Sequence, residues 1–386
     1  MDSIEKQNFY KELFSLAIPI GLQNLLAALI GATDALMLGR FSQDAVSAVS
    51  LANQISFVMN LFTSSIIGSG GVLLAQYWGK NDKTTVKNLF CTILKWSMGI
   101  SAVFFALAMF VPEYLMRIYT PDAKLIEIGA SYLRTVAISY MFSSITKCYF
   151  LIMKLEGKAK KSVYISIVTL FADMAFDLFL IYGLAGVPRL GANGSAYSTV
   201  AVELVALVWC MVESRRGESV RPDAAGFKWF SKDIAKDISK ILLPMLGSSM
   251  AWGLGFSMHS MIMGHLGSDA TAAASIASIA QELITCICKG VSAGAGIMIG
   301  KLLGQNLFDK AKEYGKQFSK ISIGVGGLHL ALLLLLTPIT AAFFVLSETA
   351  KQYLIGMLLF SGLYYSDYYC GFIHSIYFLI YVFISI

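Results

Sequence analysis

Charged residues are scarce in this chain of 386 residues, where Asp, Glu, Lys and Arg together make up 14% of the sequence. Soluble domains carry roughly 25% charged residues, and hydrophobic residues reach 56% here. This balance excludes an ordinary soluble protein. Apolar runs long enough to cross a bilayer core of roughly 30 Å recur from end to end. The composition therefore predicts an all-α polytopic membrane protein.

The sequence also lacks the usual signatures of enzymes and cofactor proteins. Its six cysteines do not have the spacing of metal sites, and it contains no G-x-x-x-x-G-K-[ST] loop for a nucleotide. No His/Asp/Ser or metal constellation indicates a catalytic centre. The net charge of +6 arises from lysines in loops between apolar runs. We therefore expect no enzyme activity, no cofactor, no metal and no nucleic-acid partner.

Ten apolar segments are predicted to span the membrane, and loops rich in Lys and Arg alternate with loops poor in them. Basic residues follow spans two, four, six and eight, and by the positive-inside rule these loops and the N-terminus are cytoplasmic. The pattern predicts a multi-pass protein of the plasma membrane. The predicted spans are 13–38, 46–77, 89–111, 128–153, 163–186, 192–213, 238–263, 271–303, 317–346 and 352–384.

An internal repeat relates the two halves of the chain by a shift of 225 residues. Without a gap, Gly79 is aligned with Gly304 and Asn81 with Asn306. Six spans separate the copies, so both have the same orientation, as in transporters built from parallel repeats. Glycines along spans two and eight have helical spacing, which favours close helix packing over phosphate binding.

The repeat predicts two six-helix bundles, of which the second is incomplete. The N-terminal lobe comprises residues 1–213 with spans one to six, and residues 214–237 form a cytoplasmic linker. The C-terminal lobe comprises residues 238–386 with spans seven to ten. A complete second copy would end near residue 438, so we expect the chain to lack spans eleven and twelve.

Carboxylates within the first lobe are the main candidates for a functional site. Asp173 and Asp177 lie four residues apart on one helix face. At a rise of about 1.5 Å per residue, Asp177 lies about 24 Å above the cytoplasmic end of span five. Asp34 reaches a similar depth in span one, and Ser195 and Thr199 start span six at that level. Three carboxylates and two hydroxyls at one depth predict a proton or cation site, and sodium would suit the same oxygens. The alternative is that each acid lies near a headgroup boundary and is hydrated there.

Other polar residues in the spans are weaker candidates. Glu282 and Lys289 lie two helical turns apart and form either a structural ion pair or part of a cavity. Lys147 and Glu203 either pair with other charges or extend to the membrane boundary, and we expect the latter. His259 occupies the repeat position of Asp34. The residues that we expect near a substrate cavity are Gln23, Asn24, Gln54, Asn60, His259, Gln281 and Glu282.

Several segments resemble multidrug and toxic compound extrusion (MATE) transporters. The stretch "LAIPIGLQNLLAALIGATDALMLGRFSQDAVSAVSLANQI" resembles their first span and loop, and "DLFLIYGLAGVPRLGANGSAYSTV" resembles spans five to six. "ILLPMLGSSM", "GHLGSDATAA" and "VSAGAGIMIGKLLGQN" resemble spans seven and eight. The similarity is distributed over about residues 10–360. Span seven, "SSMAWGLGFSMHSMIMG", lacks the glutamate of one branch of the family, which favours the DinF-like branch.

The resemblance implies that Asp34 and Asp177 form the ionisable core of an ion-coupling site. The family commonly has asparagine where Asp173 stands here, and the hydroxyl partner from span six is either Ser195 or Thr199. Membership implies antiport of protons, or alternatively sodium, against an organic and often cationic amphipathic compound. We expect a monomer in the lipid bilayer. Rival interpretations are a lipid-linked oligosaccharide flippase of the same superfamily and a non-transporting truncated remnant.

Overall fold

A computed structural model describes residues 3–183, 188–216, 219–229, 231–266, 268–343 and 348–362. All regular secondary structure within these residues is helical. The helices are α1 Ser3–Phe41, α2 Gln43–Gly79, α3 Lys83–Phe110, α4 Pro112–Arg117, α5 Ala123–Leu155, α6 Ala159–Tyr182, α7 Ala192–Arg215, α8 Ala224–Lys228, α9 Lys232–Leu266, α10 Ser268–Gly304, α11 Phe308–Phe343 and α12 348–362.

Nine of the described helices are long and apolar enough to cross a membrane, namely α1–α3, α5–α7 and α9–α11. They confirm the predicted all-α membrane fold and the first nine predicted spans. The tenth, 352–384, begins in α12, but residues 363–384 lie outside the described residues. Several helices extend beyond the apolar segment; α1 begins at Ser3 rather than near residue 13. A helix satisfies its own backbone groups and so continues past the end of an apolar run.

The chain divides into two compact units. Unit 1 comprises Met1–Leu25, Ala75–Asn81 and Ala251–Ile386, and unit 2 comprises Leu26–Leu74 and Asp82–Met250. The boundaries fall within α1, α2 and α9. The two lobes joined by a linker at 214–237 therefore stay a prediction, and each unit is described by itself.

Unit 2 is organised around α5, which packs against α3, α6 and α7. Ala137 of α5 and Ala196 of α7 are fully buried in the main core cluster, together with Leu133 and Ile181. Small side chains let helix backbones approach closely, which is the main source of packing energy between helices in a bilayer. This core fixes the positions of α6 and α7, which carry most of the candidate site.

In unit 1, the ends of α2 and α10 contact each other through two glycines. A Cβ atom on Gly304 would lie 2.5 Å from the carbonyl carbon of Gln76, and one on Gly79 would lie 2.9 Å from the carbonyl carbon of Lys301. Gln76 and Lys301 are themselves 225 residues apart, as are the two glycines. The contact is therefore two-fold symmetric in the repeat, and any side chain larger than hydrogen would force the helix ends apart. We call these four residues the glycine crossing.

The turns that follow the glycine crossing share an unusual backbone conformation. Asn81 and Asn306 both have φ of 58°, a left-handed conformation that asparagine tolerates better than most residues. In each copy the turn ends one helix and leads into the next, α3 or α11. The repeat inferred from the sequence thus extends to individual backbone angles.

Elsewhere in unit 1, the first half of α1 packs on α10. A Cβ atom on Gly290 would lie 2.7 Å from the backbone nitrogen of Gly21. Near the start of α1, the ring of Phe9 lies 4.7 Å from that of Tyr314 and 5.0 Å from that of Phe318. These contacts join α1, α10 and α11 within one unit.

Candidate functional site

The hairpin of α6 and α7 places the acids of α6 beside the hydroxyls of α7. Helix α6 ends at Gly183, which has φ of 72°, and α7 follows Gly191, which has φ of 54°. Both conformations favour glycine. A Cβ atom on Gly194 would lie 2.6 Å from the carbonyl oxygen of Leu180, so the first turn of α7 lies directly against the last turns of α6.

Helix α1 brings Asp34 to the same hairpin. Leu26 of α1 packs with Val163 and Leu170 of α6 in a buried cluster. Near the other end of the interface, the Tyr182 hydroxyl donates a hydrogen bond to the carbonyl oxygen of Met37 at 2.8 Å. The two attachments bracket Asp34 and hold the outer half of α1 against α6, all within unit 2.

Asp34, Asp173 and Asp177 come together in a carboxylate cluster. One oxygen of each lies within 4.8 Å of an oxygen of the others. Asp173 and Asp177 are only 2% and 1% exposed. Two unit charges at 4.8 Å repel by about 3 kcal/mol at an effective dielectric constant of about 20. The three groups therefore require protons or a bound cation to neutralise part of their charge.

The hydrogen bonds of the carboxylate cluster leave several oxygens unused. Among the described residues, Oδ1 of Asp34, Oδ2 of Asp173 and both carboxylate oxygens of Asp177 are buried and accept no hydrogen bond. Buried polar atoms are normally satisfied, and exceptions are frequent at functional sites. Protons on these carboxyls, or a cation held between them, would satisfy these atoms.

Ser198 is the hydroxyl that contacts the cluster, in place of the two predicted ones. Its Oγ donates to Oδ1 of Asp173 at 3.0 Å, and the Asp173 carbonyl oxygen lies 3.2 Å away. The Thr199 hydroxyl instead donates to the carbonyl oxygen of Ser195 at 3.0 Å. The Ser195 hydroxyl is buried and has no hydrogen-bond partner in the described part of the chain. The prediction of Ser195 or Thr199 as the partner is corrected because the rotation of α7 about its axis turns Ser198 towards α6. Its spacing of three residues from Ser195 is the sequence signal that could have identified it.

A tyrosine of α5 lies close to the carboxylate cluster and was missed by the sequence analysis. Tyr132 is 4% exposed, and its hydroxyl donates to Oδ1 of Asn53 on α2 at 3.4 Å. It lies within electrostatic range of all three carboxylates. Tyrosine is common in helix cores, so its sequence position alone carried no signal.

The predicted cavity residues occupy different environments in the two units. In unit 2, Gln54 is half-buried and Asn60 accepts a hydrogen bond from Lys147 Nζ. In unit 1, Gln23 is buried and Asn24 half-buried, whereas His259 is exposed on α9. Gln281 Nε2 donates to Ser361 Oγ at 2.5 Å. A role for any of them in substrate binding stays a prediction.

Two predictions about charged residues in the spans have definite outcomes. Lys289 Nζ lies 2.6 Å from Glu282 Oε1, which confirms the expected pairing across two turns of α10. The expectation that Lys147 extends to the membrane boundary is wrong, because its ammonium group donates to Asn60 on α2. Glu203 instead faces Ser143 and Lys147 of α5.

The sequence was compared with models of known protein families, and one family model matches twice. The model described as MatE matches residues 19–179 and 244–378, which together exceed half of the chain. The chain is a member of the MatE family. The two matches begin 225 residues apart, in the register of the internal repeat. MatE proteins are transporters, so this chain is a multi-pass membrane transporter and not an enzyme.

Curated relatives of this MatE protein are similar at low identity over most of the chain. The uncharacterised transporter YisQ of Bacillus subtilis is 25% identical over 310 residues, which cover 78% of this chain and 66% of YisQ. The probable multidrug resistance protein YoeA of the same organism is 22% identical over 362 residues, covering 92% of this chain and 77% of YoeA. A crystal structure of MATE in the straight conformation superimposes with a TM-score of 0.85 at 19% identity, covering 96% of this chain and 82% of that chain. This structural similarity establishes the fold. The chain spans about two thirds of the length of YisQ.

Proposed function

We propose that this MatE protein is a secondary antiporter that exports organic, often cationic amphipathic compounds in exchange for protons. The observation that carries the proposal is the buried carboxylate cluster of Asp34, Asp173 and Asp177, whose oxygens lie within 4.8 Å of one another. The names of relatives such as YoeA and the multidrug resistance protein PmpM of Pseudomonas aeruginosa support the substrate class.

The position of the carboxylate cluster links its protonation to helix movement. Asp34 is on α1, whereas Asp173 and Asp177 are on α6. Removing a proton adds a repulsion of about 3 kcal/mol between the two helices, which corresponds to roughly a hundred-fold change in a conformational equilibrium. Protonation thus favours the state in which α1 lies against α6, and deprotonation favours a state in which they separate. Antiport requires this kind of differential affinity of the ion for two states.

Competition for one charge explains how a proton and a cationic drug exclude each other. A cationic compound is attracted to the ionised carboxylates and is repelled once protons neutralise them. Sodium would compete for the same oxygens, so the ion gradient that drives export has to be varied in the experiment. The Lys/Arg-rich loops support a plasma-membrane protein with a cytoplasmic N-terminus, and we propose that it acts as a monomer.

The proposal is tested with purified protein in proteoliposomes, with ethidium as the transported cation. A pH gradient should drive ethidium transport by the wild type, whereas a sodium gradient of equal size should not. Asp177→Asn should abolish transport. Glu113→Gln is the matched control, since Glu113 pairs with Arg134 Nη2 at 2.6 Å on the exposed surface. Transport by Asp177→Asn at the wild-type rate would refute the role of the cluster, and a folded wild type without transport would favour the truncated remnant.

A further inference from the structure

A second set of polar side chains lies in unit 2 between α2 and α5. Along this seam, Tyr132 donates to Asn53 at 3.4 Å and Ser56 donates to the Tyr140 hydroxyl at 3.1 Å. Further along, Lys147 donates to Asn60. Polar side chains that hydrogen-bond across helices at three successive positions are unusual for segments in an apolar bilayer, where packing of small residues suffices. We call these three pairs the polar seam.

One end of the polar seam lies at the carboxylate cluster. The Tyr132 hydroxyl is within electrostatic range of Asp34, Asp173 and Asp177. From Tyr132 to Lys147 the helix α5 rises by about 22 Å, at about 1.5 Å per residue. Lys147 precedes the end of α5 at Leu155 by eight residues, or about 12 Å. The seam therefore extends from the carboxylates towards the end of the bundle that carries the basic loops.

The other end of the polar seam carries a titratable pair. The Glu203 carboxylate of α7 has the Ser143 hydroxyl as its hydrogen-bonding neighbour and lies within electrostatic range of Lys147. Asp173 is the other charged group near it. A buried ion pair contributes little net stability compared with apolar residues of the same size. Charged groups within transmembrane helices typically mark ion or proton pathways.

We propose that the polar seam is the route by which protons leave the carboxylate cluster and that Glu203 is the group that receives them. This inference rests on the proposed proton antiport. A carboxyl group of the cluster gives up its proton and becomes a carboxylate. The hydroxyls of Tyr132, Ser56 and Tyr140 each accept one proton and donate another. The Glu203 carboxylate is protonated and then releases the proton to cytoplasmic water, while Lys147 remains an ammonium ion that stabilises the ionised Glu203.

The test separates a relay from a purely structural ion pair. Glu203→Gln removes the acceptor but leaves Lys147 without its partner, so its loss of function alone would be ambiguous. The double variant Glu203→Gln/Lys147→Gln removes both charges. A structural pair predicts that the double variant regains transport, whereas a relay predicts that it does not. Tyr140→Phe interrupts the seam with the loss of one oxygen atom.

Matched controls exist for each change. Glu213→Gln alters another carboxylate of α7 that pairs with a lysine, Lys161, but lies ten residues from Glu203 near the helix end. Tyr149→Phe alters another buried tyrosine of α5, one that packs edge-to-face on Phe90 with ring centroids 5.5 Å apart. Both controls should transport at the wild-type rate.

The measurement is ethidium transport and ethidium-induced proton flux in proteoliposomes with an imposed pH gradient, beside ethidium affinity and thermal stability in detergent. We expect both Glu203 variants to lose about a hundred-fold in gradient-driven transport, as is typical when a positioned proton-transfer group is removed. Tyr140→Phe should slow transport without changing affinity or stability. Recovery of transport in the double variant, or wild-type transport by Tyr140→Phe, would overturn the relay. An inactive wild type would instead overturn the antiport proposal together with the inference that rests on it.

Discussion

Replacing Gly304 with alanine tests the glycine crossing of α2 and α10. The new Cβ atom would lie 2.5 Å from the carbonyl carbon and 2.7 Å from the Cα atom of Gln76. Carbon atoms in contact normally lie about 3.5–4.0 Å apart, so the two helix ends would have to separate by about 1 Å. Both clashing groups belong to the backbone, and no side chain can rotate away to relieve them. Overpacking of this kind costs about 1–3 kcal/mol.

The matched control is Gly296→Ala in the same helix. No atom lies within 4 Å of a Cβ atom at Gly296, so this change should be neutral or stabilise α10 by about 0.5–1 kcal/mol. Thermal unfolding in detergent can be followed with a thiol-reactive dye, because the five described cysteines are free and buried. We expect Gly304→Ala to unfold at a lower temperature than both the wild type and Gly296→Ala. Equal unfolding temperatures of the two variants would refute the close crossing.

Three further predictions concern the hairpin of α6 and α7 and the linker. Ser198→Ala should impair gradient-driven ethidium transport more than Ser195→Ala, because only Ser198 donates to Asp173, and transport rates in proteoliposomes provide the comparison. Gly194→Ala should lower the unfolding temperature by forcing α7 away from a carbonyl oxygen of α6 only 2.6 Å from the added atom. The neighbouring Lys87 ammonium and the backbone N–H of Gly226 lower the pKa of Asp223 below its usual 3.8, so docking of the linker should persist at neutral pH and be lost as the pH falls below about 4. Hydrogen exchange of residues 219–229 should show this loss in the wild type, and Asp223→Asn should remove the pH dependence.

The spans could be predicted from the sequence because an apolar run of membrane length has few alternatives. The repeat could be predicted as well, since identical residues recur at one fixed offset. The short helices α4 and α8 were not predicted. With six and five residues, they are too short to produce a periodic pattern.

The carboxylates of the candidate site could be predicted but their partners could not. Asp173 and Asp177 share a helix face by their spacing alone, and a count of helical rise gives Asp34 a similar depth. The choice among Ser195, Ser198 and Thr199 depends on the rotation of α7 about its axis, which is set by Gly194 and the packing of α5. The direction of the Lys147 side chain depends on the presence of Asn60 on another helix. Such contacts are properties of the assembled bundle.

The glycine crossing has the symmetry of an interface between two identical subunits. Gly79 meets Lys301 while Gln76 meets Gly304, so each copy of the repeat offers the same surface that it receives. A self-complementary patch of this kind is what joins a two-fold homodimer. A single ancestral half with this helix end would have paired with a second copy of itself before the gene was duplicated and fused. Fusion then freed the copies to diverge, and the acid at position 34 faces no acid but a histidine at the equivalent position 259.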